Sequence, residues 1–343
     1  MGQDVLSMKT DSSALLRGAP LRSGDPVLEV ARYLPRALAQ ILSGLPVAVT
    51  NQLEEVRLRA GRPLILQGSS REWSLTQTGL SDDISPLDAL TASPELMAQV
   101  LETVSQGSVY ALEEEMRNGF ITLPGGHRVG LCGRAVVADG EIKTLSDLAG
   151  INIRIAREIK GAADGVISSI VDRQNQVVYN TLILSPPGCG KTTLLRDTAR
   201  QISTGNSQMG LPGLKVGIVD ERSELAGLRH GTPQHDIGPR TDVIDGCPKS
   251  QGMMLLLRTM SPQVVVTDEL GRADDVAAVV ECSLAGVSVL ASAHAASLRD
   301  VAQRKTMAPL LERQGFSRFI ILSRRKGPGT VEAVLDENGK GLL

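Results

Sequence analysis

The sequence holds 343 residues, 42% of them apolar and only 2% aromatic, with a formal net charge of −2. This length suggests about two domains, with cores built from Leu, Val, Ile, Ala and Met rather than from aromatic rings. The near-neutral balance argues against a protein that coats nucleic acid, and the four scattered cysteines, with no C-x-x-C pair, read as reduced thiols of a cytosolic protein.

Residues 1–26 mix Asp, Lys, Arg, Gly and Ser, lack the apolar stretch of a signal peptide, and read as a disordered lead-in. Residues 27–45 have helical spacing, with a break expected at Pro35. Glu55 to Arg59 alternates like a half-buried strand, Ala60 to Pro63 is a turn, and Leu64 to Leu66 is a second strand. Residues 68–93 are weakly patterned. Residues 94–118 read as two helices around Gly107-Ser108, and Ile121 to Gly133 as a hairpin through Pro124-Gly125-Gly126-His127. Ala135 to Val137 and Ile151 to Ile155 are further strand candidates. Residues 27–158 thus read as an N-terminal α+β accessory domain, and 159–176 as a connecting helix or linker. From 177 to 343 the rhythm changes. Strands are expected at 181–185, 215–220, 263–268, 287–292 and 318–323, and helices at 191–203, 248–260, 273–285 and 297–314. Such alternation implies an α/β domain with a parallel sheet covered on both faces, and residues 330–336 add an edge hairpin. The longest apolar candidate, Ala277 to Ala293, is interrupted by Glu281, so no run reaches the ~18 residues that span a bilayer.

The chemistry gathers around Ser185-Pro186-Pro187-Gly188-Cys189-Gly190-Lys191-Thr192-Thr193, between an apolar strand and a helix. In such a glycine-rich turn, successive backbone N–H groups wrap phosphate oxygens and the helix N-terminus adds its positive dipole end. Residues Pro187 to Thr193 would therefore bind the phosphates of ATP, with Lys191 reaching the outer ones and the Thr192 hydroxyl ligating Mg²⁺. Ser185 stands where the Walker A pattern has its first glycine. A lysine at a helix start, where the dipole disfavours it, needs such a ligand. Downstream, Gln263 to Thr267 is an apolar strand that ends in Asp268-Glu269. Asp268 would hold Mg²⁺ directly or through water, and Glu269 would polarise the attacking water. Val216 to Asp220 also ends in acids, and Glu221 either caps the next segment or orients water or a Mg²⁺ shell. His294, at the end of a fourth strand, either senses the γ-phosphate or is a packed histidine. Arg128, Arg134, Arg154 and Arg157 in the first domain, and Arg240 and Arg272 in the second, are candidates to stabilise charge in trans. Arg324-Arg325-Lys326, before Gly-Pro-Gly, reads as a solvated hairpin tip.

These motifs add up to a family. Leu255 to Pro262, Val264 to Glu269, Gly286-Val287 and Ala291 to His294 resemble the Walker B and histidine-box region of type II and type IV secretion ATPases, and Asp220 to Glu224 sits where their aspartate box falls. Glu55 to Pro63, Pro124 to Gly130, Val219 to Glu224 and above all Arg240 to Lys249 resemble the stage III sporulation AA family, a relative of those motors, over residues 27–336. The resemblance implies a RecA-like P-loop NTPase domain behind a smaller N-terminal domain. It implies a homo-oligomer, a hexameric ring with nucleotide between neighbours, which binds and hydrolyses ATP with Mg²⁺. The place implied is the mother-cell cytoplasm, at the inner face of the membrane, with components of the mother cell–forespore channel of endospore-forming bacteria as partners. Many secretion ATPases lack the Asp before the Walker B Glu, so the division of labour between Glu221 and Glu269 stays open.

Two rivals differ in class. One is a RecA-like ATPase that acts on single-stranded nucleic acid. Similar chloroplast and cyanobacterial proteins carry a C-terminal module for that, and the residues through Leu343 leave no length for one. The other is a small-molecule P-loop kinase, which would need an arginine-rich lid after the Walker B strand.

Overall fold

The computed structural model describes residues 25–343 apart from 106–116, 118, 139 and 313–314. The expected lead-in through residue 24 and the helix around Gly107-Ser108 lie outside the described residues. The chain forms two compact units, Met1–Arg157 and Glu158–Leu343.

The first unit begins with α1 (Pro26–Ala31), capped by the Asp25 carboxylate, which accepts from the Val27 N–H at 2.9 Å. Pro35 ends this segment and starts α2 (Arg36–Ser43), since proline cannot continue a helix but is suited to begin one. After α3 (Val47–Thr50) come β1 (Leu53–Arg59), β2 (Ile65–Gly68), β3 (Glu72–Leu75) and β4 (Leu80–Ser81), then α4 (Pro94–Val104), β5 (Phe120–Thr122), β6 (Arg128–Ala138) and β7 (Glu141–Arg154). The strands form one sheet in the order β4-β3-β2-β1-β7-β6-β5. Alternation on β1 turns Val56 and Leu58 into a core with Leu38, Leu42, Val100 and Ile153 and leaves Arg57 and Arg59 toward solvent. The strand expected over 151–155 extends back to Glu141, and its ladder with β6 continues from Arg134↔Ser146 to Ala138↔Glu141. Asp139-Gly140 is a dipeptide that favours tight hairpins.

The second unit contains β8 (Val171–Asp172), β9 (Val177–Val178), β10 (Thr181–Ser185), α5 (Lys191–Thr204), β11 (Val216–Asp220), β12 (Thr241–Asp245), α6 (Lys249–Thr259), β13 (Val264–Thr267), α7 (Ala273–Leu284), β14 (Ser288–His294), α8 (Leu298–Ala302), α9 (Ala308–Glu312), β15 (Arg318–Ser323) and β16 (Thr330–Asp336). Its main sheet runs β12-β11-β13-β14-β10-β15-β16, parallel except for β16. The central strands are apolar throughout because both faces are covered. Ile183, Ile218, Val264 and Val266 point to a core shared with Leu194, Leu195 and Ile202 of α5. Leu182, Leu184, Val219 and Val265 point to the other, with Met253 and Leu256 of α6 and Val276 and Val279 of α7. Each fully buried Leu, Ile or Val contributes about 1.5–3 kcal/mol against exposure.

Three expectations change. No α-helix spans 159–176. The chain turns there, makes a short 3₁₀ segment at Ile167–Ser169 and then the small β8–β9 sheet. Polar groups of α5 capture the turn: Asp197 accepts from the Ala163 N–H at 2.8 Å, and Gln201 donates to Asp164 at 2.7 Å. The helix expected over 297–314 is split into α8 and α9. Val301, Met307 and Leu310 all enter one core, whereas a continuous helix, turning about 100° per residue, would point Val301 and Leu310 to opposite sides. The edge strand β12 was not expected, since Thr241 to Asp245 is half-buried along its length and carries no strong apolar pattern.

Candidate active site

The loop between β10 and α5 is built on two glycines in left-handed backbone, Gly188 at φ +69° and Gly190 at φ +87°. At Gly190 a side chain is excluded twice, by that φ and because an added Cβ would lie 2.9 Å from the Gly329 nitrogen. Ser185, by contrast, still belongs to β10 and is paired in register with His294, so the position tolerates a Cβ. Its hydroxyl donates to the Pro186 carbonyl at 2.8 Å and accepts from Lys191 Nζ at 3.3 Å. Pro187 and Gly188 are exposed, Cys189 is buried, and Thr192 and Thr193 are half-buried on the first turn of α5.

Lys191 is buried at the mouth of this loop. Besides Ser185, its ammonium donates to the Pro186 carbonyl at 3.2 Å and to His294 Nδ1 at 3.0 Å. A lysine ammonium only donates, so His294 Nδ1 accepts and its Nε2–H points at Glu269 Oε1, 2.8 Å away. The other Glu269 oxygen takes Arg222 Nη1 at 3.1 Å. Burial pulls the Lys191 pKa below its ordinary range, and the carboxylates of Glu269 and Asp268 oppose that pull. A phosphate chain would restore the lost charge compensation.

Asp268 and Glu269 leave β13 in a sharp turn. Glu269 sits at φ +48°, a left-handed conformation that costs a non-glycine residue on the order of 1 kcal/mol. β14 clamps it: the Glu269 N–H donates to Ser292 Oγ at 2.9 Å, and the Leu270 N–H to the Ser292 carbonyl at 2.8 Å. Asp268 is almost wholly buried, and its Oδ2 has no hydrogen-bond partner among the described residues. Burial, then the neighbouring Asp220 and Glu224 carboxylates, push its pKa from an ordinary 3.8 up to about 7, against the opposing Lys249 charge. An orphaned buried carboxylate beside a phosphate loop fits a divalent cation, and Thr192 and Asp268 are the groups that would hold Mg²⁺.

Glu221 lies elsewhere in this network. It follows β11, where the buried Asp220 carboxylate gathers the N–H groups of Glu224 at 2.8 Å, Leu225 at 3.0 Å and Ala226 at 2.8 Å. Glu221 itself is paired with Lys249, a buried lysine on the first turn of α6. The candidate arginines separate equally clearly. Arg157 donates to the carbonyls of Thr50 and Leu53, and Arg240 to those of Ser203 and Thr204, so both have structural partners. Arg128 stacks 3.6 Å from the Phe120 ring centroid, and Arg154 is exposed near Glu55. Arg272 is exposed at the start of α7, and Arg134 is exposed on β6, where none of the described residues bonds its guanidinium. Sequence reasoning missed Arg222, Ser292 and the role of Lys249. Only Lys249 carried a local signal, a lysine at a helix start where the dipole disfavours it.

The Asp268 carboxyl makes a pH prediction. A carboxyl whose pKa is higher in the folded chain than in the unfolded chain takes up a proton on folding. Its contribution to stability is therefore lost as pH rises from about 4 to about 7. A displacement from 3.8 to about 7 corresponds to roughly 4 kcal/mol. Asp268→Asn, which cannot ionise, should gain Tm relative to the parent metal-free chain as pH goes from 4.5 to 8, by several degrees at the upper end. Melting curves across that range test it, and a difference independent of pH would refute it.

A mostly parallel sheet sandwiched between helices, with a phosphate loop after one strand and Asp-Glu at the end of another, defines a RecA-like P-loop fold. The chain superposes on the X-ray structure of the Legionella pneumophila ATPase DotB with a TM-score of 0.54 at 14% identity, covering 84% of this chain and 76% of that one. The Yersinia pseudotuberculosis ATPase DotB gives 0.52 at 11% identity, covering 83% and 76%. In sequence, the chain is 44% identical over 314 residues to Stage III sporulation protein AA of Bacillus subtilis (strain 168), covering 92% of this chain and 96% of that protein. The family model described as Sporulation stage III, protein AA matches residues 27–342, and the chain belongs to that family.

Proposed function

We propose that the protein binds and hydrolyses ATP with Mg²⁺ and works as a homo-oligomeric motor, of hexameric form, in endospore formation. It would power or assemble the mother cell–forespore channel from the mother-cell cytoplasm, at the inner face of the membrane. Among the described residues no helix is long and apolar enough to cross a membrane. The observation that carries the reading is the convergence of Lys191, Asp268, Glu269 and His294 at the carboxyl ends of β10, β13 and β14, beside the glycine loop.

In this reading the loop N–H groups and Lys191 bind the phosphates, and His294 links the Lys191 ammonium to the general base. Glu269 accepts the proton of the attacking water as its oxygen bonds to the γ-phosphorus and the bond to the bridging oxygen breaks. Bound Mg²⁺ neutralises phosphate charge. Glu269 is favoured over Glu221 as base because Glu221 is committed to Lys249, whereas Glu269 contacts the group that holds Lys191. A neighbouring subunit would supply the arginine that stabilises transition-state charge, a contribution on the order of 10³–10⁵ in turnover in well-studied NTPases. Arg134, exposed and unengaged by the described residues, is the candidate we take forward. Phosphate release per chain should rise with protein concentration, and ATP should raise the mass seen by light scattering. A mixture of Lys191→Ala and Arg134→Ala chains should regain activity that neither has alone. Specific activity unaffected by dilution, with no rescue in the mixture, would rule out a shared site.

A further inference from the structure

We propose that Arg324 is a phosphate-binding residue of the nucleotide site, a second cation supplied from the β15–β16 connection of the same chain. The inference rests on reading residues 185–193 as an ATP-binding loop. The basic tip after β15 does not simply project into solvent. The Gly329 N–H donates to the Cys189 carbonyl at 2.9 Å, and the tip backbone packs so closely on Gly190 that a Cβ there would strike Gly329. Arg324 meets the loop at its other glycine: a Cβ built on Gly188 would lie 3.4 Å from Arg324 Nη1.

The three basic residues of the tip are not equivalent. Arg325 is paired with Glu332 through Nε at 3.0 Å and Nη2 at 3.2 Å. The Lys326 N–H donates to Thr330 Oγ1 at 3.2 Å, the Thr330 hydroxyl donates to the Gly327 carbonyl at 2.7 Å, and the Gly327 N–H donates to the Arg324 carbonyl at 3.0 Å. These bonds hold the backbone on the C-terminal side of Arg324, and β15, which ends at Ser323, holds the other side. Its guanidinium is exposed, and none of the described residues gives it a hydrogen bond or an ion pair. A guanidinium on a held backbone, unpaired among the described residues and beside the glycine loop, presents a planar fork that matches phosphate oxygens in a way an ammonium does not. The ligand class is the oligophosphate chain itself, not the base.

Calorimetric titration of the full chain with ATP and with inorganic tripolyphosphate, at fixed low salt, tests this. Arg324→Ala should weaken both ligands by about 10-fold or more, the scale of a charge-assisted hydrogen bond. Arg324→Lys should recover only part of that loss. Lys326→Ala, which removes the same charge from the same tip, should stay within about twofold of the parent. Melting curves would confirm that each variant folds. If Arg324→Ala binds both probes like Lys326→Ala, the proposal is overturned while the loop assignment stands. A loss for ATP alone, with tripolyphosphate unchanged, overturns it in favour of a contact to the base. A parent chain that binds neither probe ends the loop reading, and this proposal with it.

Discussion

Glu269→Gln should bind ATP with near-parent affinity and release phosphate on the order of 10²–10⁴ times more slowly, the usual contribution of a positioned general base. The amide keeps the size of the carboxylate and can still accept from His294 Nε2–H, but it cannot take a proton from water. The variant also loses its ion pair with Arg222, which is well exposed, and exposed pairs are worth at most about 1 kcal/mol. Affinity should survive because Glu269 makes no hydrogen bond to Lys191 and touches it only through the His294 ring. Single-turnover phosphate release with enzyme in excess separates the chemical step from binding. Glu221→Gln is the informative partner. Freed from Glu221, the buried Lys249 ammonium would lose its counter-charge, so that variant should lose stability before it loses chemistry. A fast Glu269→Gln together with a dead, well-folded Glu221→Gln would move the base to Glu221.

Lys191→Ala should fold and lose Mg-ATP affinity by about a hundredfold or more, since charged hydrogen bonds to the phosphates are each worth on the order of 1.5–3 kcal/mol. The surroundings of Lys191 explain why stability should hold. The Lys191 charge is already disfavoured by burial, and its partners are carbonyls, a hydroxyl and an imidazole nitrogen rather than a carboxylate. Removing it therefore relieves a cost as well as breaking bonds. A ligand that binds only the folded state raises Tm in proportion to the logarithm of its occupancy. ATP should thus raise the Tm of the parent chain and leave that of Lys191→Ala unmoved, from a similar starting value. An equal ATP-induced rise in both chains would contradict the P-loop assignment.

The elements that were legible in the sequence share one property: the information is local. β10, β11 and β13 are continuous apolar runs because both faces of the sheet are covered, and such a run identifies itself without reference to the rest of the chain. The glycine loop was legible for the same reason, since two glycines and a lysine between an apolar strand and a helix form a pattern within nine residues of chain. Elements whose form depends on distant partners were misread. The 159–176 segment has helical composition but is held as a turn by Asp197 and Gln201 of α5, and the 297–314 helix is broken by a core that receives Val301 and Leu310 together.

The candidate site divides the same way. By itself the sequence singled out a candidate phosphate loop and the acids that end strands, because strand–turn–helix patterns repeat over short distances. Which acid serves which cation was decided by sheet order. β14 lies between β13 and β10, so His294 meets both Glu269 and Lys191, the latter 103 residues away along the chain. β12 lies beside β11 at the sheet edge, and Lys249, on the helix that follows it, takes Glu221 instead. The hairpin after β15 returns Arg324 to the loop after β10 because those two strands are neighbours in parallel register. In a parallel sheet the carboxyl ends of all strands lie on one edge, so every functional group there is brought in by a crossover. Crossovers are long and their order is not written in any local pattern, which is why only the folded chain assigns the partners.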